Sequence, residues 1–333
     1  MTTISSKLFA SYQPSHQTRL PELLARLLEN QRRVWPMAAE GYASLQYAQI
    51  REIQSRTFST WLQFNPRRIV STGAKVDAHS IRQRRCFLCI ENLPAEQQGV
   101  LYQNEFLLLC NPMPIFSAHY TISHIHHRPQ LLAAHLETFL QLAQDLSPAF
   151  TVFYNGAQCG ASAPDHLHFQ AAPAGAIPLE HEAGNPARRD FVQKIAGIAV
   201  ILLKEIGRAV VVLEGTNVEK LIHVLQQTLV KMQIILQIAD EPRVNILCQY
   251  NAPQWRIILF PRRKHRPDIF FKEGDEKVLI SPAAVDMGGL IVTPVEKDFR
   301  TVDAKLIEAI YEEVSWDETT VNKLKSGWRS QVF

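Results

Sequence analysis

The chain has 333 residues, 46% of them hydrophobic and 20% charged, with 14 glycines and 19 prolines. That length exceeds what one small core needs and points to two lobes or one large duplicated sheet, and the composition excludes a disordered, fibrous or linker-rich protein. A formal net charge of +3 with scattered basic residues excludes the broad cationic face of a duplex-binding protein, so no nucleic-acid partner is expected, while small anionic ligands stay open.

The N-terminus, MTTISSKLFASYQPSH, lacks the basic-then-apolar layout of a secretory signal, and a cytoplasmic protein is expected. Residues 1–60 are read as an N-terminal helical segment: Pro21 suits a first helical turn, and Leu24, Leu27, Leu28, Val34 and Trp35 supply an apolar stripe. Asn65-Pro66 breaks this pattern, and FNPRRIVSTGAKV over 64–76 mixes turn and β-branched residues at the edge of a first lobe. Five cysteines suit no complete disulfide framework. Two of them form Cys86-Phe87-Leu88-Cys89, a spacing that in a reducing compartment favours a metal over a disulfide.

Residues 99–128 read as two strands, GVLYQNEFLLLC and SAHYTISHIHH, joined by a loop at Asn111-Pro112-Met113-Pro114. Pro129 opens a helix with Leu132, Leu136, Phe139, Leu140, Ala143 and Leu146 at helical spacing. Phe150 to Tyr154 is a short strand, followed by a glycine-bearing loop and then by HLHFQAA over 166–172. The polar stretch Glu180 to Arg189 is a boundary. Beyond it a helix, a strand at Ala209 to Leu213 and another helix are expected. The domains are therefore 1–60, a catalytic lobe over 61–180 and a second, degenerate lobe over 181–333. A short internal echo supports duplication: WRIILFPRRKHRP parallels AHYTISHIHHRP, aligning His265 with His127. The longest apolar stretch, Ile198 to Leu203, is far short of the roughly 20 residues that span a bilayer, so no membrane partner is expected.

Residues two apart on a strand share a face, so His166, His168 and Gln170 form a row opposite Leu167, Phe169 and Ala171. Such a row suits phosphoryl chemistry, one imidazole attacking phosphorus while an amide contacts phosphate oxygens without repelling them. A bare His-x-His equally marks the solvated face of an antiparallel strand. The preceding loop tips the balance, because Asn155, Gly156 and Gly160 allow backbone amides to approach an anion and Ser162 adds a hydroxyl.

Cys86 and Cys89 cluster with His119, His124, His126 and His127 and need two more ligands to complete a tetrahedral ion, or else form a buried apolar pair. His127 and His166 complete the set if their strands adjoin, and four protein ligands leave no open position, so the expected Zn²⁺ is structural. Among Arg67, Arg68, Arg82, Arg84 and Arg85, Arg67 is chosen as the polyphosphate partner, although each of these also reads as a solvated basic residue.

These blocks together resemble the histidine triad superfamily, in its branch of galactose-1-phosphate uridylyltransferases, diadenosine polyphosphate phosphorylases and GDP-hexose phosphorylases. Asn65-Pro66-Arg67-Arg68 with Ser71-Thr72-Gly73 resembles the early nucleotide-contacting segment of the uridylyltransferases, and Cys86-Phe87-Leu88-Cys89 resembles their zinc pair. Asn111 to Phe116 resembles the hairpin of the uridylyltransferases and polyphosphate phosphorylases, and Gly160 to Gln170 resembles their active-site signature. The wording His166-Leu167-His168-Phe169-Gln170-Ala171 is also similar to the GDP-hexose phosphorylases. Ser281 to Gly289 with Glu296 to Phe299 resembles the C-terminal lobe of the phosphorylases. The loop from Asn155 to Gly160 is shorter than in uridylyltransferases, and their C-terminal sugar-binding residues have no match.

The resemblance implies an α+β fold of duplicated units sharing one antiparallel sheet flanked by helices. It implies His168 as nucleophile and His166 as a zinc ligand. Catalytic residues are then His168, Gln170 and Ser162, with Arg67, Asn155, Gly160, Ser162 and Gln170 binding substrate. The substrate is a nucleotide sugar or dinucleoside polyphosphate and the acceptor is inorganic phosphate or a sugar phosphate, used in a double displacement through a nucleotidyl-histidine. A hydrolase of the same superfamily and a non-catalytic nucleotide-binding module are the alternatives. The sequence leaves base, sugar and oligomeric state open, a homodimer included.

Overall fold

Apolar runs bounded by turn residues give the computed structural model its strands; it describes residues 4–15, 17–74 and 76–329, so that residues 1–3, His16, Lys75 and 330–333 of the expected segments lie outside the described residues. In chain order the strands are β1 (Leu8–Tyr12), β2 (Gln49–Gln54), β3 (Ser59–Phe64), β4 (Gly99–Tyr102), β5 (Phe106–Cys110), β6 (Tyr120–His124) and β7 (Phe150–Asn155). They continue with β8 (His168–Pro173), β9 (Arg189–Ile195), β10 (Ile198–Leu203), β11 (Val211–Gly215), β12 (Val244–Asn251), β13 (Gln254–Pro261) and β14 (Leu290–Thr293). Eleven form one sheet in the order β1-β4-β5-β6-β8-β7-β12-β13-β11-β10-β9, antiparallel except for the edge pair β1 with β4. The other three form a small sheet, β14-β3-β2. No helix among the described residues is long and apolar enough to cross a membrane.

Strands β4 to β8 and β9 to β13 follow the same path, each with a helix before its fourth strand, Leu136–Asp145 in one half and Val218–Leu236 in the other. The halves meet at the antiparallel pair β7 and β12, giving the sheet an approximate two-fold arrangement. Within that arrangement β13 occupies the place of β8, not of β6. The echo that aligned His265 with His127 is therefore a coincidence of two strands ending in basic residues.

Four other expectations are corrected. The first 60 residues are not wholly helical: β1, β2 and part of β3 flank the helices Leu20–Val34 and Pro36–Ala43, because β1 pairs with the distant β4 and QIREIQ pairs with the following strand β3, contacts that local helical spacing does not reveal. The stretch 99–110 is a hairpin, not one strand, with Gln103 and Asn104 at φ of 48° and 59° in its turn. The helix expected after Arg189 is likewise the hairpin of β9 and β10, whose two-residue turn Ala196-Gly197 has φ of 50° and 90°. The helix after Pro129 is delayed to Leu136, beyond a 3₁₀ turn at Ala133–His135.

Alternation along the strands separates the sheet's two faces. Phe169, Ala171, Val152, Tyr154, Ile246 and Ile257 point to a face covered by the helices Leu20–Val34, Leu136–Asp145, Val218–Leu236 and Glu318–Arg329. The opposite face is apolar in the second half, where Ile201, Val212, Leu247, Ile258 and Phe260 share a core with Ile310, Tyr311 and Val314 of the helix Ala304–Val314. In the first half the same face carries Thr121, Asn155, His168 and Gln170, all of which line a pocket.

Phe169 anchors this division. It is fully buried between Phe106, Phe139 and Tyr154, with ring centroids at 5.6, 5.0 and 6.1 Å. Phe169→Ala is expected to lower unfolding stability by about 3–5 kcal/mol, the usual cost of emptying an aromatic core site. Chemical denaturation checks this, and a variant within about 1 kcal/mol of wild type would contradict the packing of this face.

Candidate active site

Strand β8 delivers His168 and Gln170 to the open face, β7 ends beside them at Asn155, and the loop 156–167 arches over the strand ends. These residues, with Gly160 and Ser162, line a pocket of about 320 Å³. Gly160 has φ of +88°, and an added Cβ would lie 2.5 Å from the Ala283 Cβ and 2.9 Å from its Cα. The close approach this glycine permits is thus to the C-terminal segment as well as to any ligand. Ser281, Ala283, Val285 and Asp286 from that segment line the same pocket.

Arg67 is not brought to the site. Its side chain is 45% exposed and pairs with Glu40 at 3.2 Å. The pocket instead receives Arg68 and Arg266. Arg68 donates to the Met113 carbonyl at 2.7 Å, and Arg266 donates through Nε to Ser281 Oγ at 2.8 Å. Burial pushes Arg68 down to about 10, which leaves it cationic at neutral pH.

His168 is held at three points. Its Nδ1–H donates to the carbonyl of His166, two residues before it, at 2.8 Å, which fixes the tautomer and leaves the Nε2 lone pair without a partner among the described residues. Its backbone N–H donates to Gln130 Oε1 at 2.7 Å, and Gln130 Nε2 returns bonds to the carbonyls of His168 at 3.0 Å and Asn155 at 2.9 Å. Burial pushes His168 down to about 4, so the ring is neutral at physiological pH.

The two amides beside it are oriented by their inner partners. Gln170 Oε1 accepts from His119 Nε2 at 2.8 Å, while His119 Nδ1 accepts from the Ile115 N–H at 3.3 Å. Burial, with Arg68 nearby, holds His119 down to about 3, so it acts as a neutral donor. Asn155 Oδ1 accepts from Asn245 Nδ2 and from the Ala284 N–H, both at 2.8 Å. With both oxygens occupied from behind, each amide turns its NH₂ toward the pocket.

Cys86, Cys89, His127 and His166 are brought together on the far side of His168, their donor atoms all within 4.8 Å of one another. Cys86 Sγ lies 3.3 Å and Cys89 Sγ 3.6 Å from His166 Nδ1, and Cys89 Sγ lies 3.2 Å from His127 Nδ1. Tetrahedral coordination at ordinary thiolate and imidazole bond lengths puts donors about 3.3–3.8 Å apart, so the set fits a metal ion. Both imidazoles are braced from behind: His166 Nε2–H donates to the His124 carbonyl at 2.8 Å, and His127 Nε2 faces Asp165 Oδ2 at 3.5 Å.

Sequence reasoning missed Gln130, Asn245 and Arg266, passed over Arg68, and grouped His119 with the candidate metal ligands, whereas its ring bonds Gln170 instead. Gln130 carries no motif, and its role exists only because residues after β6 return beside β8, where the Leu167 N–H donates to the Arg128 carbonyl at 2.7 Å. Arg68 neighbours the arginine that was chosen, and only the short helix Ile69–Thr72 with the 3₁₀ turn before it decides which of the two faces inward.

Residues 27–173 match the family model described as Domain of unknown function (DUF4922), and residues 186–330 match that described as GDPGP1-like, C-terminal domain. No curated protein sequence matches the chain. Among solved structures, yeast Ap4A phosphorylase Apa2 in complex with AMP is similar at 17% identity, covering 88% of this chain and 96% of that one with a TM-score of 0.57. The same yeast enzyme in complex with Ap4A is similar at 15% identity, covering 88% and 97% with a TM-score of 0.57. At such identities the likeness is one of fold, and it extends over both halves of the sheet.

Gln130 is 1% exposed, and replacing it leaves the His168 N–H and two carbonyls without partners. Gln130→Leu is expected to cost about 1–3 kcal/mol of stability, the penalty for orphaned buried polar groups. Urea unfolding that gives the variant wild-type stability would remove Gln130 from this framework.

Proposed function

We propose that the chain is a member of the histidine triad superfamily, in the branch of the polyphosphate and GDP-hexose phosphorylases, and a nucleotidyl-transferring phosphorylase acting through His168; the GDPGP1-like family model over residues 186–330 and the fold shared with yeast Ap4A phosphorylase Apa2 support this reading. The observation that carries the proposal is a neutral imidazole with its Nδ1–H held by a backbone carbonyl and its Nε2 free beside two amides that both present N–H. Such an arrangement is a nucleophile placed beside hydrogen-bond donors for the charge that develops on phosphorus.

In the first half-reaction the Nε2 lone pair of His168 attacks the α-phosphorus of a nucleoside diphosphate sugar or dinucleoside polyphosphate. The P–N bond forms as the P–O bond to the leaving phosphate group breaks, and the leaving oxygen takes the electron pair. The imidazolium that results keeps its Nδ1–H on the His166 carbonyl. In the second half-reaction an oxygen of inorganic phosphate, or of a sugar phosphate, attacks phosphorus and the P–N bond breaks. Asn155, Gln170 and Ser162 line the pocket as neutral donors, and Arg68 and Arg266 supply positive charge to the polyphosphate.

Cys86, Cys89, His127 and His166 would hold Zn²⁺, which with four protein ligands supplies rigidity and no open position for a reacting group. Its value to the reaction lies in this chain's own backbone: a fixed His166 ring fixes the His166 carbonyl, and that carbonyl orients His168.

Brief incubation with GDP-mannose, ADP-glucose, UDP-glucose or diadenosine tetraphosphate, without phosphate, should add one nucleotide to the intact mass. The same treatment should add nothing to His168→Ala. A mutant that turns over like wild type, or a wild type that forms no adduct with any donor, overturns the covalent reading. Turnover should also depend on added phosphate, since water in the acceptor's place would make the protein a hydrolase.

Protonation of His168 removes the attacking lone pair, and burial pushes that protonation to lower pH. Adduct formation should therefore stay flat from neutral pH down to about pH 5 and fall only below it. A rate that halves between pH 7.5 and 6.5, where an ordinary histidine titrates, goes against this. Elemental analysis should find about one zinc per chain, with Cys89→Ser losing it and melting at lower temperature. Equal metal content in both proteins would exclude the cluster as the binding site.

A further inference from the structure

Asn155 and Asn245 face each other across β7 and β12, the strand pair that joins the two halves of the sheet. Asn245 is fully buried. Its Nδ2 donates to Asn155 Oδ1 at 2.8 Å and to the Cys159 carbonyl at 2.6 Å, and its Oδ1 accepts from an Arg262 Nη at 2.5 Å. The amide of Asn245 therefore has one orientation only, oxygen toward a guanidinium and nitrogen toward two oxygens.

Arg262 is also fully buried, just past the end of β13 in the second half. Its remaining donors reach the carbonyls of Pro282 at 2.9 Å, Lys264 at 3.1 Å, His265 at 2.9 Å and Val314 at 3.2 Å. Among the described residues no carboxylate lies within ion-pair distance of it. A guanidinium enclosed by carbonyl oxygens keeps its charge, and a chain of aligned hydrogen bonds passes part of that polarisation along.

We propose that Arg262 and Asn245 are positioning residues through which the second half serves the active site, locking Asn155 so that its NH₂ donates to a phosphate oxygen of the substrate. The ligand's identity rests on the nucleotidyl-transfer reading above. Three donors act in series: Arg262 on Asn245, Asn245 on Asn155, and Asn155 on the phosphate. The Ala284 N–H fills the other lone pair of Asn155 Oδ1, so the oxygen has no reason to turn outward. Without Asn245 only the Ala284 N–H holds that oxygen inward, and an amide held at one point can turn to present its oxygen, which repels phosphate. The half that has lost its own histidine row thus retains a function in the chemistry of the other half, and a buried cation that looks like a staple for the C-terminal segment also sets a donor in the pocket.

Asn245→Asp tests this with almost no change of shape. The aspartate still accepts from Arg262 but presents an oxygen to Asn155 and to the Cys159 carbonyl, so Asn155 loses its inner donor and is drawn to turn its NH₂ inward, against the Ala284 N–H, and the pocket-facing donor is no longer fixed. Pyrophosphate affinity, measured by calorimetry with the full-length protein, should fall at least about tenfold, as for loss of one good hydrogen bond to a charged group. Placed on an Asn155→Ala background, Asn245→Asp should add no further loss, because a residue acting only through Asn155 has nothing left to act on. Undiminished pyrophosphate binding by Asn245→Asp overturns the proposal, and so does an equal loss on both backgrounds, which marks a merely structural role.

Should Asn245→Asp fail to fold, Asn155→Asp tests the last link, the Asn155 donor on which the lock must act. It keeps the inward acceptor and replaces only the pocket-facing donor, so it should also bind pyrophosphate at least about tenfold more weakly, and wild-type binding would overturn the proposal. The two readings fail separately. A wild-type protein that binds pyrophosphate but forms no nucleotide adduct loses the transfer reaction and leaves the lock testable by binding, whereas one that binds no pyrophosphate overturns the lock.

Discussion

The antiparallel register of β6 against β8, which sets Ser123 opposite His168 and Thr121 opposite Gln170, is the constraint on which the pocket and the cysteine cluster both depend. A slip of one residue would turn His168 and Gln170 into the helix-covered face and bring Phe169 out of its aromatic cage. The register holds to the strand end, where the His124 N–H donates to the Leu167 carbonyl at 3.0 Å; beyond it the chain loops out over 125–127 and returns so that the Leu167 N–H meets the Arg128 carbonyl at 2.7 Å, which brings His127 beside His166. One strand pairing thereby places the proposed nucleophile, its orienting carbonyl and two of the four candidate metal ligands. The Cys86-Cys89 turn then closes over those ligands and resists the slip that would separate them.

The electrostatics of the pocket follow from which groups are kept neutral. Two histidines there, His119 and His168, are pushed by burial to about 3 and about 4, and both use a ring nitrogen as a directed hydrogen-bond donor. The pocket's carboxylate, Asp286, is pushed up to about 6 by burial, and its oxygens accept from the backbone N–H of Ala283 at 2.9 Å and Val292 at 3.0 Å. It is engaged in shaping the start of the helix Ala284–Met287 and sits near Arg68, so its charge is drawn away from the pocket. What remains facing a bound anion is a set of amide donors with Arg68 and Arg266 behind them. Fixed donors of this kind need no reorganisation as charge develops, which is where their advantage over water lies.

Much of this was legible in the sequence because it rests on short-range rules. The period of two in HLHFQAA separates His168 and Gln170 from Phe169 and Ala171, and the structure keeps that separation from residue 168 onward. His166 departs from the row: it precedes the strand, and its ring turns to the cysteines. What was illegible depends on long-range pairing or on turn chemistry. The hairpin at Ala196-Gly197 was hidden because nothing in the flanking residues announces two consecutive positive φ values except the single glycine. Arg67 was chosen over its neighbour Arg68 with nothing in the sequence to separate them, and the direction of an arginine on a short turn is set by what lies across from it, here Glu40 outside and Met113 inside. The chemistry was assigned to the first lobe alone, and the segment from Ser281 to Asp286 shows the cost of treating lobes as independent.

The asymmetry of the two halves has a physical logic. In the first half β7 and β8 are separated by a loop of residues 156–167 that arches over a polar strand face, whereas in the second half β12 and β13 are joined by the tight turn Ala252-Pro253. A tight turn leaves no chain to roof a pocket, and a polar face with no roof and no ligand would gain nothing over an apolar one that packs. The second half accordingly presents Leu247, Ile258 and Phe260 to the helix Ala304–Val314. Burial of that face anchors the C-terminal segment, and the anchored segment reaches back across the junction to place Ala283 against Gly160 and the Ala284 N–H on Asn155. The absence of a roofed polar face in one half and the completion of the pocket in the other thus both follow from one feature, the apolar side chains that fill the second half's sheet face.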